Sequence, residues 1–227
     1  MAEWLELETV DSTQDEAARL LRAGASPLPP VILAKAQTKG RGRFGREWFS
    51  PPGDSLSLSL ILSEAKGHPQ PWLLGMALAC AAAGVIHGRV RWPNDVFLDG
   101  KKVGGILPEL IEGVPVLGIG LNLNQMEFPP EIAATATSLA LHRPGLYEAK
   151  AVAQKILARF FAAPLPQDWP ALAPVWALFD DTAGKHFRLP TGEEAIAVGL
   201  GPHGELLCSV DGESRTVMAA DAILGVP

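Results

Sequence analysis

The N-terminal part of the chain alternates between two hydrophobic periods. Residues 3–10 and 31–38 are short, mainly apolar or alternating runs, and 55–62 (SLSLSLIL) has the period of a half-buried strand. Between the first two runs, residues 12–25 carry apolar side chains at helical spacing and run out at a glycine. The pattern predicts three strands with a helix after the first one.

The middle of the chain predicts a buried helix followed by antiparallel strands. Residues 72–86 are uncharged, but they are shorter than the roughly 20 residues that span a bilayer. Short strand-like runs follow on either side of a Pro-Asn-Asp turn, and Asp99-Gly100 has the composition of a hairpin turn. Residues 114–124 read as a further strand. The expected fold class is therefore α+β, with a mixed β-sheet and helices.

The C-terminal part has a different pattern, with closely spaced prolines followed by short strand-like runs. A proline-interrupted helical region marks a transition between two units; its prolines are Pro164, Pro166, Pro170 and Pro174. From Lys185 onward, short strand-like runs are separated by TG, GPHG and VDGE, as in a small β barrel. We expect a catalytic-type domain over residues 1–178 and a small β domain over residues 179–227.

Composition limits the class of protein. Of the 227 residues, 48% are hydrophobic and 19% are charged, which is typical of a folded domain and not of a disordered chain. The net charge of −6 argues against a general nucleic-acid-binding surface. The N-terminus lacks the pattern of a signal peptide, and Cys80 and Cys208 fall in apolar or alternating segments. We expect a cytoplasmic protein without membrane association, whose cysteines are buried and unpaired.

One basic loop contrasts with this acidic chain. Residues 39–48 (KGRGRFGREW) place four cationic side chains and three glycines in their first eight positions. Arginine offers a planar fork of donors to carboxylate or phosphate oxygens, and glycine lets the backbone approach a ligand closely. A GxGxxG pattern is present, but two prolines follow where a dinucleotide-binding helix would begin. The loop indicates an anionic ligand, with a solvated strand connection as the alternative.

Three further segments carry polar or glycine-rich patterns. RWPNDV (91–96) contains good turn chemistry, and GIGLNLN (118–124) alternates glycine with apolar residues before two asparagines. Gly104 and Gly105 lie inside a strand, where glycine often marks the close approach of a ligand or of another backbone. Each pattern alone is also explained by turns and packing.

The DSTQ segment (11–14) opens the first helix. Thr13 with Glu16, and Ser12 with Asp15, match the spacing of a capping box. Helix capping is the simpler interpretation of these residues, although a capping residue can also contact a ligand.

Taken in order, DSTQ, the basic loop, RWPNDV, KKVGGILPEL and GIGLNLN resemble the catalytic domain of biotin protein ligases. The proline-flanked transition and the β tail are similar to the SH3-like C-terminal domain of that family, so the resemblance covers nearly the whole chain. It implies a class II synthetase-like catalytic domain of the biotin/lipoate ligase type followed by an SH3-like β barrel.

The resemblance also implies a reaction. Members of the family make biotinyl-5′-AMP from biotin and ATP with Mg²⁺, and they transfer biotin to a lysine of the biotin carboxyl carrier protein, a subunit or domain of a carboxylase. Ten residues precede DSTQ, too few for the helix-turn-helix domain of bifunctional members, so we expect a monofunctional ligase that binds no DNA. The resemblance leaves both a monomer and a homodimer open.

Site residues follow from the same resemblance. Lys102 and Arg43 are expected to be catalytic, Lys102 as a mobile point charge beside carboxylate and phosphate. The expected biotin-binding residues are Ser12, Thr13, Gln14, Gln37, Gly40, Arg41, Gly42, Arg43, Lys102, Gly104 and Gly105. The expected ATP-binding and adenylate-binding residues are Arg41, Arg43, Arg46, Trp48, Asn94, Lys102 and Asn122. Asp95 is the candidate Mg²⁺ ligand.

The chain departs from the family pattern at Arg91, and two rival functions stay open. Arg91 stands where lysine is common before WPND, and Phe44 occupies a variable position to which we assign no role. A lipoate or octanoate ligase or transferase is the closest rival, but the arginine-rich loop and WPND favour biotin. An RNA-binding module that uses GRGR is the rival from another class, and the acidic net charge disfavours it.

Overall fold

A seven-stranded mixed sheet forms the larger part of the protein, in a computed structural model that describes residues 4–27, 30–189 and 191–219. The strands are β1 (Trp4–Val10), β2 (Val31–Gln37), β3 (Ser55–Ile61), β4 (Arg89–Arg91), β5 (Asp95–Leu98), β6 (Lys101–Ile111) and β7 (Val114–Asn122). Their order across the sheet is β1-β2-β3-β7-β6-β5-β4, and only the β1–β2 pair among them is parallel. The prediction of a mixed sheet is confirmed.

Helices cover both faces of this sheet. They are α1 (Thr13–Arg22), α2 (Pro71–Ile86), α3 (Pro130–Ala133), α4 (Leu139–His142), α5 (Ala149–Phe160) and α6 (Trp169–Phe179). On one face, α1 packs in a small apolar cluster with residues of β2, β3, β6 and β7. On the other face, α2 lies in the main core and contacts α5, α6 and β6. The predicted buried helix is thus confirmed. No helix in the described residues is long and apolar enough to cross a bilayer.

Strand β3 corrects one prediction. The SLSLSLI pattern predicted a half-buried strand, but all seven residues are buried. Leu56, Leu58 and Leu60 enter the main core, while Ser59 on the opposite face hydrogen-bonds to α1. The alternation correctly predicted which residues of β3 share the polar face, but it did not predict that this face is buried. The face is covered by hydrogen-bonding partners from the protein instead of by water.

The turn and cap predictions had different outcomes. Asp99 and Gly100 both have positive φ, at 45° and 80°, as a two-residue hairpin turn requires. Ser12 does occupy the N-cap position of α1, yet its side chain makes no capping hydrogen bond within the described chain. The backbone N–H of Thr13 is instead bound by the side chain of Gln37. The capping-box interpretation was therefore wrong, because the Ser12 side chain accepts no hydrogen bond from the first turn and the Thr13 hydroxyl binds Gln37 and Ser59.

A separate four-stranded antiparallel sheet follows α6. It contains β8 (His186–Arg188), β9 (Glu194–Leu200), β10 (Leu206–Val210) and β11 (Glu213–Val217), in the order β11-β10-β9-β8. This sheet fits the expected SH3-like β domain. The cysteine prediction is also confirmed, since Cys80 and Cys208 are both buried and free. Helix α6 continues through Pro174 and ends at Phe179. The predicted domain boundary between residues 178 and 179 therefore falls in the last turn of this helix, and it stays a prediction.

The two sheets meet at the segment RWPND. The indole Nε1 of Trp92 donates to the carbonyl of Gly204 at 2.9 Å, and the backbone N–H of Trp92 donates to Thr182 Oγ1 at 3.0 Å. The Trp92 ring also meets Phe187 edge-on at 6.5 Å between centroids. The turn that carries Asn94 and Asp95 is therefore anchored on the C-terminal sheet.

Candidate active site

A cavity of about 300 Å³ lies between β6, β7, the start of α1, the basic loop and the segment that follows β7. It gathers nearly all the residues selected from the sequence: Ser12, Thr13, Gln14, Gln37, Arg41, Gly42, Arg43, Arg46, Trp48, Asn94, Asp95, Lys102, Gly105 and Asn122. Segments far apart in the chain thus meet at one place, as the resemblance implied.

Two of the selected glycines, Gly40 and Gly104, do not line this cavity. A Cβ on Gly104 would lie 2.2 Å from a Leu121 methyl carbon and 2.5 Å from the Gly120 carbonyl oxygen, so Gly104 serves the packing of β6 on β7. A Cβ on Gly40 would lie 3.0 Å from the Trp48 carbonyl oxygen, where the two ends of the loop meet. Both glycines therefore allow close packing of the elements that form the cavity wall, without lining the cavity themselves.

One end of the cavity is a polar pocket in which side-chain partners are already fixed. Gln37 Oε1 accepts hydrogen bonds from the Thr13 backbone N–H at 2.8 Å and from the Thr13 hydroxyl at 3.2 Å. The Ser59 hydroxyl donates to Gln14 Oε1 at 2.8 Å and lies 2.9 Å from Thr13 Oγ1. Ser12, Thr13 and Gln14 are all buried. A ligand entering this end therefore meets a preoriented set of donors and acceptors.

Arg41 lies at the side of this pocket and contacts two carboxylates. Its guanidinium binds Glu109 on β6 through both terminal nitrogens, and Nη2 is also 2.8 Å from Asp15 Oδ1 on α1. Hydrogen bonding to Glu109, with a further contribution from Asp15, raises the pKa of Arg41. Arg41 is therefore cationic, and its guanidinium is paired with carboxylates of the protein itself.

The centre of the cavity holds one carboxylate among several cations. Lys102 Nζ lies 2.8 Å from Asp95 Oδ1, across the hairpin that pairs β5 with β6. Burial lowers the pKa of Arg43, the charge of Asp95 opposes this shift, and Arg46 adds to it. Lys102 and Arg43 thus face Asp95, and Arg46 adds a third cation to the cavity lining, an arrangement that suits a further anion.

The other end of the cavity is walled by aromatic rings and amides. The Trp48 ring lies so close to β7 that a Cβ on Gly120 would be 2.6 Å from its Cε2. Phe49 and Phe128 form a tilted pair with centroids 6.4 Å apart. Among the described residues, no hydrogen-bond partner exists for Trp48 Nε1 or for the buried Asn94 Oδ1. Flat apolar walls with unsatisfied polar atoms fit a heteroaromatic ligand.

Asn122 holds a segment in place beside this end. Its Nδ2 donates to the carbonyl of Thr137 at 2.9 Å, and its Oδ1 accepts from Gln125 at 3.1 Å. The Lys102 backbone also brackets that segment, donating to the carbonyl of Thr135 and accepting from the Thr137 N–H, both at 2.8 Å. The segment after β7 is thereby fixed against the strand that carries Lys102.

The sequence pattern did not identify several lining residues, which come from the end of the basic loop, from the sheet and from the segment after β7: Glu47, Phe49, Leu58, Ile106, Leu107, Gly118, Ile119, Gly120, Phe128, Ile132, Thr135 and Ala136. The period-two spacing of Gly118, Gly120 and Asn122 was an available signal, since it puts them on one face of β7. Phe128 and Ile132 lie in a segment without periodicity, so no local signal could have placed them.

Arg91, the departure from the family pattern, lies outside the cavity lining. Its guanidinium is 2.8 Å from Asp181 and 3.8 Å above the Phe97 ring centroid. The longer arginine thus joins β4 to the chain leaving α6, a structural contact.

A metal would find few protein ligands here. The described residues contain no group of three or more His, Cys, Asp or Glu side chains that could hold an ion. Asp95 is one carboxylate, already paired with Lys102. Mg²⁺ is commonly bound by one or two carboxylates together with substrate phosphates, so Asp95 fits a metal that arrives on a nucleotide and not a protein-only site.

Comparisons with known proteins agree with this geometry. The family model described as "Biotin/lipoate A/B protein ligase family" matches residues 6–125. The bifunctional ligase/repressor BirA of Bacillus spizizenii is 31% identical over 96% of this chain and 73% of its own length. The biotin--[acetyl-CoA-carboxylase] ligase of Mycobacterium tuberculosis is 30% identical over 97% of this chain and 89% of its own. The structure of the biotin protein ligase of Aquifex aeolicus in complex with biotin and ATP superposes with a TM-score of 0.73, at 27% identity and 96% coverage of both chains. The chain therefore belongs to the biotin/lipoate A/B protein ligase family, as an ATP-dependent ligase homologous to the biotin protein ligases.

Proposed function

We propose that the protein condenses biotin with ATP to biotinyl-5′-AMP and then transfers the biotinyl group to a lysine of a biotin carboxyl carrier protein. The observation that carries the proposal is a cavity lining that brings Arg43, Arg46 and Lys102 together with Asp95, between a polar pocket and an aromatic one. This is the place at which a carboxylate and a phosphate would have to meet.

The polar pocket suits the ureido head of biotin. A ureido group has one carbonyl acceptor and two N–H donors, and the pocket presents side chains of both kinds at Ser12, Thr13 and Gln37. A buried polar group left without a partner costs roughly 1–3 kcal/mol, so a pocket built with partners in place selects for this head group. The biotin carboxylate would then point toward Lys102.

The aromatic end suits adenine. The Trp48 ring offers a flat face, and the buried Asn94 Oδ1, which lacks a partner among the described residues, can accept from a nucleotide N–H or O–H. The α-phosphate would lie between these residues and the biotin carboxylate. Mg²⁺ bound to the phosphates, with Asp95 as its carboxylate ligand, would neutralise phosphate charge.

Lys102 would act by charge. Joining two anions is opposed by their repulsion, and fixed cations offset it most strongly where charge develops in the transition state. The ammonium of Lys102 is a compact charge on a flexible stem, and it can leave Asp95 to follow the carboxylate oxygen as it attacks phosphorus. Pyrophosphate departs, and the mixed anhydride remains among the same cations.

We also propose that the basic loop closes over the intermediate and excludes water, which would hydrolyse it. The loop contains three arginines, at positions 41, 43 and 46, each a cleavage site for trypsin. Biotin with ATP should protect these bonds. Equal cleavage rates with and without the two substrates would contradict closure.

The second half-reaction would deliver biotin to the ε-amine of a carrier lysine. The name of the Mycobacterium tuberculosis relative, a biotin--[acetyl-CoA-carboxylase] ligase, supports a carboxylase as the source of the acceptor. We further infer that the chain does not bind operator DNA, since its net charge of −6 disfavours a phosphate-binding surface. Sequence-specific retardation of DNA in a mobility shift at physiological salt would overturn that inference.

Transfer is tested by incubating the protein with ATP, Mg²⁺, biotin and a purified biotin carboxyl carrier domain, and weighing the product by mass spectrometry. The proposal predicts one added biotinyl group, lost when the acceptor lysine is changed to arginine. Added lipoyl or octanoyl groups in parallel reactions, with no added biotin, would assign the protein to the sister activity.

A further inference from the structure

The strongest unexplained feature is the ionic cluster at Arg41. Glu109 Oε1 and Oε2 both bind the Arg41 guanidinium, and Oε2 also accepts from Gln14 Nε2 at 2.8 Å. Asp15 binds Arg41 Nη2 at 2.8 Å. One carboxylate thus joins three parts of the chain: the basic loop, the first turn of α1 and strand β6.

The charge of this cluster bears on what Arg41 can do. Two carboxylates face one guanidinium, so the cluster carries a net charge of about −1 and attracts no further anion while it is intact. The resemblance assigned Arg41 to the biotin and adenylate anions, but these contacts direct its donors toward the protein. The cations left for the substrate are Arg43, Arg46 and Lys102.

The exposure of the cluster indicates that it can restrain the loop. The side chains of Arg41, Asp15 and Glu109 are 32%, 40% and 27% exposed, so solvent screens them only in part. An isolated surface ion pair contributes little, whereas a bidentate arginine–carboxylate contact within a network holds a defined geometry. Backbone hydrogen bonds close the loop on itself, from the Gly42 N–H to the Arg46 carbonyl at 2.7 Å and from the Trp48 N–H to the Gly40 carbonyl at 2.9 Å, so the side chain of Arg41 ties this closed unit to α1 and β6.

We propose that Glu109, assisted by Asp15, is a positioning residue that latches the basic loop through Arg41 and at the same time orients the Gln14 carboxamide in the polar pocket. Glu109 itself touches no substrate. It sets where Arg43 lies over the cavity and which face Gln14 presents. The kinetic consequence rests on the proposed function, while the latch itself does not.

The matched pair of variants is Glu109→Gln and Glu112→Gln. Glu112 lies three residues further along, and its carboxylate is 3.9 Å from an α1 arginine, Arg22, but both side chains are more than 60% exposed and outside the cavity. Glutamine keeps the size of the side chain and removes its charge. Asp15→Asn is the second test variant, because it weakens the latch from the exposed side without touching Gln14.

The first readout needs no substrate. Trypsin cleavage after Arg43 and Arg46, followed by mass spectrometry, should be about tenfold faster in Glu109→Gln than in the parent, since a lost hydrogen bond to a charged group is worth about one decade or more. Asp15→Asn should show a smaller increase and Glu112→Gln none. Cleavage of Glu109→Gln and Asp15→Asn at the parent rate would overturn the latch.

The second readout separates positioning from general destabilisation. Glu109→Gln should raise the KM for biotin about tenfold, because the Gln14 carboxamide loses its orientation, and the fall in kcat from the displacement of Arg43 should be smaller than this rise. In an Arg41→Gln background, which already lacks the latch, Glu109→Gln should raise the KM for biotin by less, because only its effect on Gln14 remains. An unchanged KM beside faster cleavage would overturn the positioning role. A parent without biotin-dependent activity would defeat the proposed function and leave the cleavage result standing.

Discussion

At the scale of single residues, the site depends on how charges are paired before any substrate arrives. Lys102 contacts Asp95, and Arg41 contacts Asp15 and Glu109, although the segments that carry Lys102 and Arg41 are explained in the sequence by solvated hairpin and loop charge. Local pattern can name a cation but not its partner, since Arg41 and Glu109 are joined only by folding. Under the proposed function, Lys102 would exchange its contact with Asp95 for one with a substrate anion, whereas the contacts of Arg41 would hold the loop.

Replacing Lys102 with alanine tests the central charge. We expect Lys102→Ala to fold normally and to lose about a hundredfold or more in the rate of adenylate formation, as removal of roughly 3 kcal/mol of transition-state stabilisation would cause. Lys101→Ala is the control, because Lys101 is its exposed neighbour and lies outside the cavity lining. Adenylation by Lys102→Ala within a few-fold of the parent would remove Lys102 from the reaction.

At the scale of elements, close packing between the basic loop and β7 shapes the aromatic end of the cavity. The Trp48 ring rests on Gly120, so any side chain at that strand position must push the ring away. The sequence GIGLNLN was enough to predict that this segment is a β-strand and which of its residues share a face. The partner of Gly120 could not be predicted, because the loop that brings Trp48 there has no repeating pattern.

Gly120→Ala tests that contact. The new methyl group would lie 2.6 Å from the Trp48 ring, so we expect the ring to shift and the KM for ATP to rise about tenfold, with a smaller change in the KM for biotin. Gly199→Ala in β9 is the matched strand control, since a Cβ there meets no described atom within 4 Å. Equal ATP kinetics in both variants would show that Trp48 does not contact the nucleotide.

The buried helix α2 makes a prediction about its cysteine. Burial raises the pKa of Cys80 to about 12, and burial also raises that of Cys208. The folded state therefore holds both thiols protonated where the unfolded chain would ionise, so these groups favour folding less as the pH rises above about 8.5. Native protein at pH 8 should react slowly with a disulfide reagent such as DTNB, and unfolded protein rapidly. Rapid labelling of two thiols in the native state would contradict their burial.

At the scale of the whole molecule, the two sheets are joined through the same turn that supplies Asn94 and Asp95. Trp92 reaches Thr182, Phe187 and Gly204 of the C-terminal part, and Arg91 reaches Asp181. The strand content of both sheets was predictable from period and turn residues. Their mode of contact was not, because the tryptophan before Pro93 reads equally well as a core residue of either sheet.

Trp92→Phe measures that contact. The change leaves the Gly204 carbonyl without its indole donor in a buried position, which should cost about 1–3 kcal/mol and lower Tm by several degrees. Trp72→Phe is the control, because the buried Nε1 of Trp72 has no hydrogen-bond partner among the described residues. A larger loss of stability from Trp72→Phe than from Trp92→Phe would contradict this view of the domain contact.

The proposed chemistry requires biotin and ATP to bind together in the cavity. The most direct measurement is pyrophosphate release by the purified protein with ATP and Mg²⁺, compared across biotin, lipoate, octanoate and no added acid. We expect release that depends on biotin and that Lys102→Ala slows about a hundredfold or more. Release with lipoate or octanoate but not with biotin, or release independent of any acid, would contradict it.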